Sequence, residues 1–205
     1  MTIPLLNTVS YDDRTKRWRD SANGQFIPNQ SIVDEMRVHQ TATYSTLESL
    51  TKQLYAGDIS LARWQAGIAL ELKDAHVALS MFGAGGRANM NQAAYGRVGQ
   101  TLREQYKFLN DFAVDIAAGR VSERQALARI KQYGNAAQQS YYAEYAAQNK
   151  DSGKLFYYEL HPAEHCLDCI SRSAGNPYTY DSLVGYPGDG STRCRGNDAC
   201  TLEAR

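Results

Sequence analysis

Ser60-Leu61-Ala62-Arg63-Trp64-Gln65-Ala66-Gly67-Ile68-Ala69-Leu70-Glu71-Leu72-Lys73-Asp74-Ala75-His76-Val77-Ala78-Leu79 sets Leu61, Trp64, Ile68, Leu72, Ala75 and Leu79 at intervals of three or four residues. That spacing is one apolar face of an α-helix. Ser60 is its N-cap, and Gly83, Gly85 and Gly86 break it. Upstream, Ser31 with Asp34 resembles a capping box, and Ile32, Met36, Thr43, Leu47, Leu50 and Leu54 predict a helix ending at Gly57. Downstream, a third helix is predicted from about Asn91 to Ala118 on Tyr95, Val98, Leu102, Leu109, Phe112 and Ile116. Ser122, with Gln125 three residues on, caps a fourth that carries Leu127, Ile130, Tyr133, Ala137, Tyr141 and Tyr145 and runs to about Asn149. The prediction is a mainly α fold whose body, residues 31–150, is a four-helix antiparallel bundle.

The joints Gly57-Asp58-Ile59-Ser60 and Gly119-Arg120-Val121-Ser122 are alike, and the turn chemistry of a tight helix-to-helix joint is enough to explain them. Gly83-Ala84-Gly85-Gly86-Arg87 lacks the Gly-Lys-Ser/Thr ending of a phosphate loop and follows a helix, so it reads as a flexible corner. Strands do not alternate with helices along the chain, which removes dinucleotide-binding folds.

Residues 1–30 show neither a helical nor a strand period and read as an extended interaction arm. Trp18, Phe26 and Ile27 are the anchors by which such an arm would bind a neighbouring chain. The alternative is an arm folded back over its own helices.

Lys plus Arg and Asp plus Glu are balanced at 22 each, giving a net charge of zero. The balance argues against a protein that coats DNA, though it leaves room for a local basic face. Fourteen tyrosines against five phenylalanines fit either interface surfaces or the edge of a helical core. Nothing resembles a signal peptide or a membrane span, so the chain is expected to fold first in a cytosol. There, clustered thiols more often hold metal than form disulfides.

All four cysteines lie in residues 151–205, as Cys166-x2-Cys169-x24-Cys194-x5-Cys200, with His161 and His165 just upstream. This loop-rich stretch has few aliphatic residues and is expected to be a small module pinned by its cysteines. His161-Pro162-Ala163-Glu164-His165 has the letters of an inverted zinc-protease motif, but Pro162 spoils the helix that would align the ligands. Cys166-Leu167-Asp168-Cys169 has redox-dithiol spacing without the βαβ context of thioredoxins. A zinc deaminase would need His-x-Glu and Pro-Cys-x-x-Cys, and neither occurs. A structural site remains: Zn2+ on Cys166, Cys169, Cys194 and Cys200, or a partial site completed by His161 or His165. Disulfide pairing or free thiols are the other readings.

Three segments carry a family resemblance: His165-Cys166-Leu167-Asp168-Cys169, Tyr186-Pro187-Gly188-Asp189-Gly190-Ser191-Thr192-Arg193-Cys194 and Ala199-Cys200-Thr201-Leu202-Glu203. Together they resemble the C-terminal signature of tailed-phage head-morphogenesis, or minor head, proteins of the Mu F type. The family's closing Cys-x-Cys is Ala199-Cys200 here. Arg17-Trp18-Arg19-Asp20 through Phe26-Ile27 also resembles a segment near the start of some phage virion proteins. The resemblance implies a non-enzymatic structural component of the phage head, made in the host cytoplasm and present in several copies. Its implied partners are portal, capsid or neck subunits and, in some members, packaged DNA, with no membrane. The alternative from the residues alone is a zinc-knuckle nucleic-acid-binding protein in which Arg172, Arg193 and Arg195 meet phosphates.

Overall fold

The computed structural model describes residues 8–195 and 200–205. The chain is mainly helical, as its apolar period predicts. Helix α1 spans Asn29–Ala56, α2 Leu61–Gly83, α3 Gln92–Ala117, α4 Glu123–Ala136 and α5 Gln138–Gln148. The caps follow the sequence closely. Ser60 Oγ accepts the Arg63 N–H, Asn91 Oδ1 accepts the Ala94 N–H, and Ser122 with Gln125 forms a reciprocal capping box. Gly57 ends α1 in the left-handed conformation at φ 82°.

Two boundaries differ from the sequence reading. α1 begins two residues ahead of Ser31, behind Pro28, whose fixed φ of −59° presets the helix and which makes no side-chain cap bond. The single helix expected from Ser122 to Asn149 is two, α4 and α5, joined at Ala137, so the body has five helices rather than four. No proline marks the break, and although Gly134 lies in the last turn of α4, the residues flanking the break keep the apolar period.

α2 is the central helix, packed against α1, α3 and α5. Its Trp64, Ile68 and Leu72 are fully buried with Leu47 of α1, Leu109 and Phe112 of α3 and Ile130 of α4. Trp64 meets Phe112 edge to face, with ring centroids 5.8 Å apart, and its indole N–H donates to Thr51 Oγ1 at 3.0 Å. At the other end of α2, Gly83 lies so close to α5 that a Cβ there would overlap the Tyr141 carbonyl.

Residues 8–30 are not an extended arm. They form an antiparallel sheet in the order β1-β2-β3: Val9–Asp12, Arg17–Asp20 and Phe26–Ile27, with Tyr11 opposite Trp18 and Trp18 opposite Ile27. The period is hidden because the strands are short and polar, and local turns dominate. Asp12 Oδ1 accepts the N–H groups of Arg14 and Thr15, and its Oδ2 takes the Arg19 guanidinium at 2.8 Å. That ion pair holds the Asp12 carboxyl well below the usual range, at about 2. The sheet folds back on the body, the second of the two readings, through a core of Val9, Trp18, Ile32, Ala75, Leu79, Phe82 and Ala137.

The Gly83–Gly86 corner is correspondingly buried, not a flexible surface turn. The Tyr11 N–H donates to Gly85 O at 2.7 Å, and a side chain on Gly86 would strike the Val9 carbonyl. These glycines admit a strand against a helix end.

Candidate metal centre

The C-terminal module is built on β4, Phe156–Leu160, paired antiparallel with β5, Cys200–Ala204, and on a short helix α6, Leu167–Ala174. Phe156, Tyr158 and Leu202 of the strands are buried against Tyr142 and Ala146 of α5, so the module shares a core with the helical body. Asn176 extends the sheet with its side chain: its amide donates to Tyr158 O and accepts from the Tyr158 N–H, both at 2.9 Å.

α6 places the first two thiols. Cys166 is its N-cap residue and Cys169 lies one turn on, buried, with the sulfurs 3.6 Å apart. The third thiol arrives from a distant loop held at two points. Asp168, between the two cysteines, accepts the Arg193 backbone N–H through Oδ2 at 2.8 Å, which seats the neighbouring Cys194 beside α6. One turn along, Arg172 donates to Ser191 Oγ at 2.5 Å and to Val184 O at 3.3 Å, with Asp189 3.7 Å away. Cys169 and Cys194 are 3.9 Å apart, and all three sulfurs lie within 4.8 Å of one another.

Burial acts to raise the Cys166 thiol, but the N–H groups of Cys169 and Cys194 and the two neighbouring thiols hydrogen-bond to its sulfur and together lower it to about 6. The thiol it leans on, Cys194, is pushed up by that hydrogen bond and by burial.

Cys166, Cys169 and Cys194 can therefore hold a metal ion. Two Zn–S bonds of about 2.3 Å meeting at a tetrahedral angle put the sulfurs about 3.8 Å apart, which the 3.6 and 3.9 Å separations bracket. A disulfide needs about 2.05 Å, and all four cysteines are unbonded.

The remaining predicted ligands stand differently. Cys200 is buried on β5 opposite Leu160 and is outside the group of three. His161 Nε2 pairs with Thr201 Oγ1 at 3.0 Å and His165 Nε2 donates to His161 O at 2.6 Å, so neither ring joins the group. His161, Pro162 and Glu164 are in irregular backbone ahead of α6, so the inverted-protease helix does not form. Ala199 of the family-like ending is outside the described residues.

The arginines matter here too. Arg172 is 8% exposed and turned inward, with Tyr158 beneath its guanidinium, so it acts as a loop clamp. Its role was hidden in the sequence, because nothing about Arg172 announces Ser191 and Asp189 as partners. Of the three arm anchors, Trp18 is buried in the chain's own core and Ile27 is half-buried, while Phe26 is 47% exposed beneath the Arg17 and Arg19 guanidinium groups. No helix among the described residues is long and apolar enough to cross a membrane.

Comparison of the chain with protein-family models, with curated proteins and with solved structures gives no match.

Proposed function

We propose that this chain is a structural component of a tailed-phage head, a minor head protein that associates with portal, capsid or neck subunits, and that its three-thiol centre binds Zn2+ as a fastener and not as a catalyst. The observation that carries the reading is the thiol trio itself. The Cys-x2-Cys turn and the Pro-Gly…Thr-Arg-Cys loop that resemble the phage family are the two segments that Asp168 and Arg172 bring together. A metal there would join α6 to a loop some twenty-five residues later, in a module with little apolar core of its own. The chain's own groups already give the site its shape: Asp168 sets the loop register, Arg172 clamps it, and the N–H groups of Cys169 and Cys194 support the Cys166 sulfur. Zinc would add three thiolate bonds and supply folding energy.

The nucleic-acid reading loses one of its three arginines, since the Arg172 guanidinium is buried, while Arg193 stays exposed beside Asp168 and Arg195 is exposed.

Two measurements test the proposal. Elemental analysis of the purified chain should find one zinc per chain, lost in Cys166→Ser, Cys169→Ser and Cys194→Ser and reduced less in Cys200→Ser. Quantitative mass spectrometry of gradient-banded particles from the phage that encodes the chain should find it in fixed stoichiometry. Its absence from assembled particles defeats the virion reading, whatever the zinc result.

A further inference from the structure

We propose that Cys166 and Cys169 are also a dithiol that closes to a disulfide on contact with a low-molecular-weight disulfide such as oxidised glutathione, releasing the metal and with it the metal-made link between α6 and the Cys194 loop. The inference rests on the reading above that these thiols form one site.

The geometry assigns the two roles. Cys166 caps α6 from the surface side and is partly exposed, so a small disulfide can reach it, whereas Cys169 is 1% exposed and cannot be the first to attack. With the two sulfurs 3.6 Å apart, closure needs the Cys166 side chain to move by less than 2 Å, and the N-cap backbone is extended at φ −73°, ψ 162°, outside the helical ladder. Cys194 approaches the buried sulfur at 3.9 Å from a separate loop and would have to drag the Asp168-bound Arg193 backbone to compete. Cys200, on a paired strand, takes no part.

The reaction balances as thiol–disulfide exchange. The Cys166 thiolate attacks one sulfur of oxidised glutathione, an S–S bond breaks, and glutathione thiolate leaves. The Cys169 thiolate then attacks the Cys166 sulfur of the mixed disulfide and expels the second glutathione thiolate. Two protein thiols lose their protons and two electrons, and one glutathione disulfide becomes two thiols. In a reducing cytosol the equilibrium favours the thiols and hence the metal, and outside it the disulfide.

The test uses the full-length chain in two samples, zinc-loaded and chelator-stripped, each treated with millimolar oxidised glutathione. Intact mass, released zinc and peptide mapping are then read. We expect the stripped sample to lose two hydrogens with the bond mapped to Cys166–Cys169, leaving Cys194 and Cys200 open to alkylation. The loaded sample should release its zinc as the same bond forms. Cys169→Ser should halt at a glutathione adduct on Cys166. A lasting adduct on the unmutated chain, a bond mapped to Cys194, or four alkylatable thiols after treatment overturns the inference. If the first sample takes up no zinc but the stripped one forms the bond, the metal reading fails together with the metal release, and the dithiol closure alone stands.

Discussion

His76 is the most completely buried ionisable side chain of α2. Its Nδ1 sits 2.7 Å from Ser140 Oγ on α5, and its Nε2 has no hydrogen-bond partner. Burial therefore lowers its pKa from 6.5 to about 4, and His39 of α1, also buried with both ring nitrogens unpartnered, is shifted the same way for the same reason. The unfolded chain binds the proton first as pH falls, so the stability that neutral His76 confers is full above pH 6.5 and drains as pH drops toward 4. The loss from this residue is on the order of 3 kcal/mol at one pH unit per 1.36 kcal/mol. Urea unfolding of the protein at pH 7 and pH 4.5 should show a marked fall, and His76→Gln should flatten most of it. A slope unchanged in the variant would mean that other groups carry the acid sensitivity. At this same scale, the thiol trio was legible from spacing and context. The exclusion of Cys200 was not, because its place follows from strand pairing with Leu160.

Elements were read best where local chemistry decides them. Ser60, Asn91, Ser122 and Gly57 end or begin helices for reasons contained within four residues of each. The α4–α5 break at Ala137 was invisible because long-range packing accompanies it: Gly188 of the C-terminal module sits so close to Asn135 and Gln139, on either side, that a Cβ there would come within 3.2 Å of the Asn135 carbonyl and the Gln139 N–H. The buried glycine corner was misread for a similar reason, since only the returning β1 strand shows why no side chain fits. This argues for a specific cost at Gly83, where α2 and α5 approach most closely. Gly83→Ala puts a methyl group into the Tyr141 carbonyl and against Glu144, whose carboxylate is held at 2.8 and 2.7 Å by Arg97 of α3. The helices must separate to accept it, and overpacking of that kind costs about 3 kcal/mol. Thermal unfolding should show Gly83→Ala well below the unmutated protein, with Gly96→Ala, where nothing lies within 4 Å, unchanged or slightly higher.

On the scale of the whole molecule, the body is clasped at both ends of the chain, and the two clasps meet on α5. The N-terminal sheet packs on α2, with Ala137 and Tyr141 at its edge, and the C-terminal strands pack on Tyr142 and Ala146. Tyr145 joins the second clasp directly, its hydroxyl accepting the Ala204 N–H at 3.1 Å. A sequence divided into arm, body and module conceals this, because short strands at the two ends contribute no period of their own and show their partners only when folded. The N-terminal clasp can be tested through Trp18. If the first thirty residues serve chiefly to reach another chain, Trp18→Ala should weaken association and leave the isolated protein's stability intact. If they complete this chain's own core, the indole's loss opens a cavity among Ile32, Leu79 and Phe82 and destabilises the monomer by about 3 kcal/mol, at the low end for such truncations because the site is at a core edge. The geometry favours the second outcome, with an unfolding midpoint that falls and is independent of protein concentration. Phe26→Ala is the control: its ring is half-exposed under two arginines, and its removal should cost less than about 1 kcal/mol. Equal effects of the two substitutions, or a midpoint for Trp18→Ala that rises with concentration, would return the segment to a role between chains.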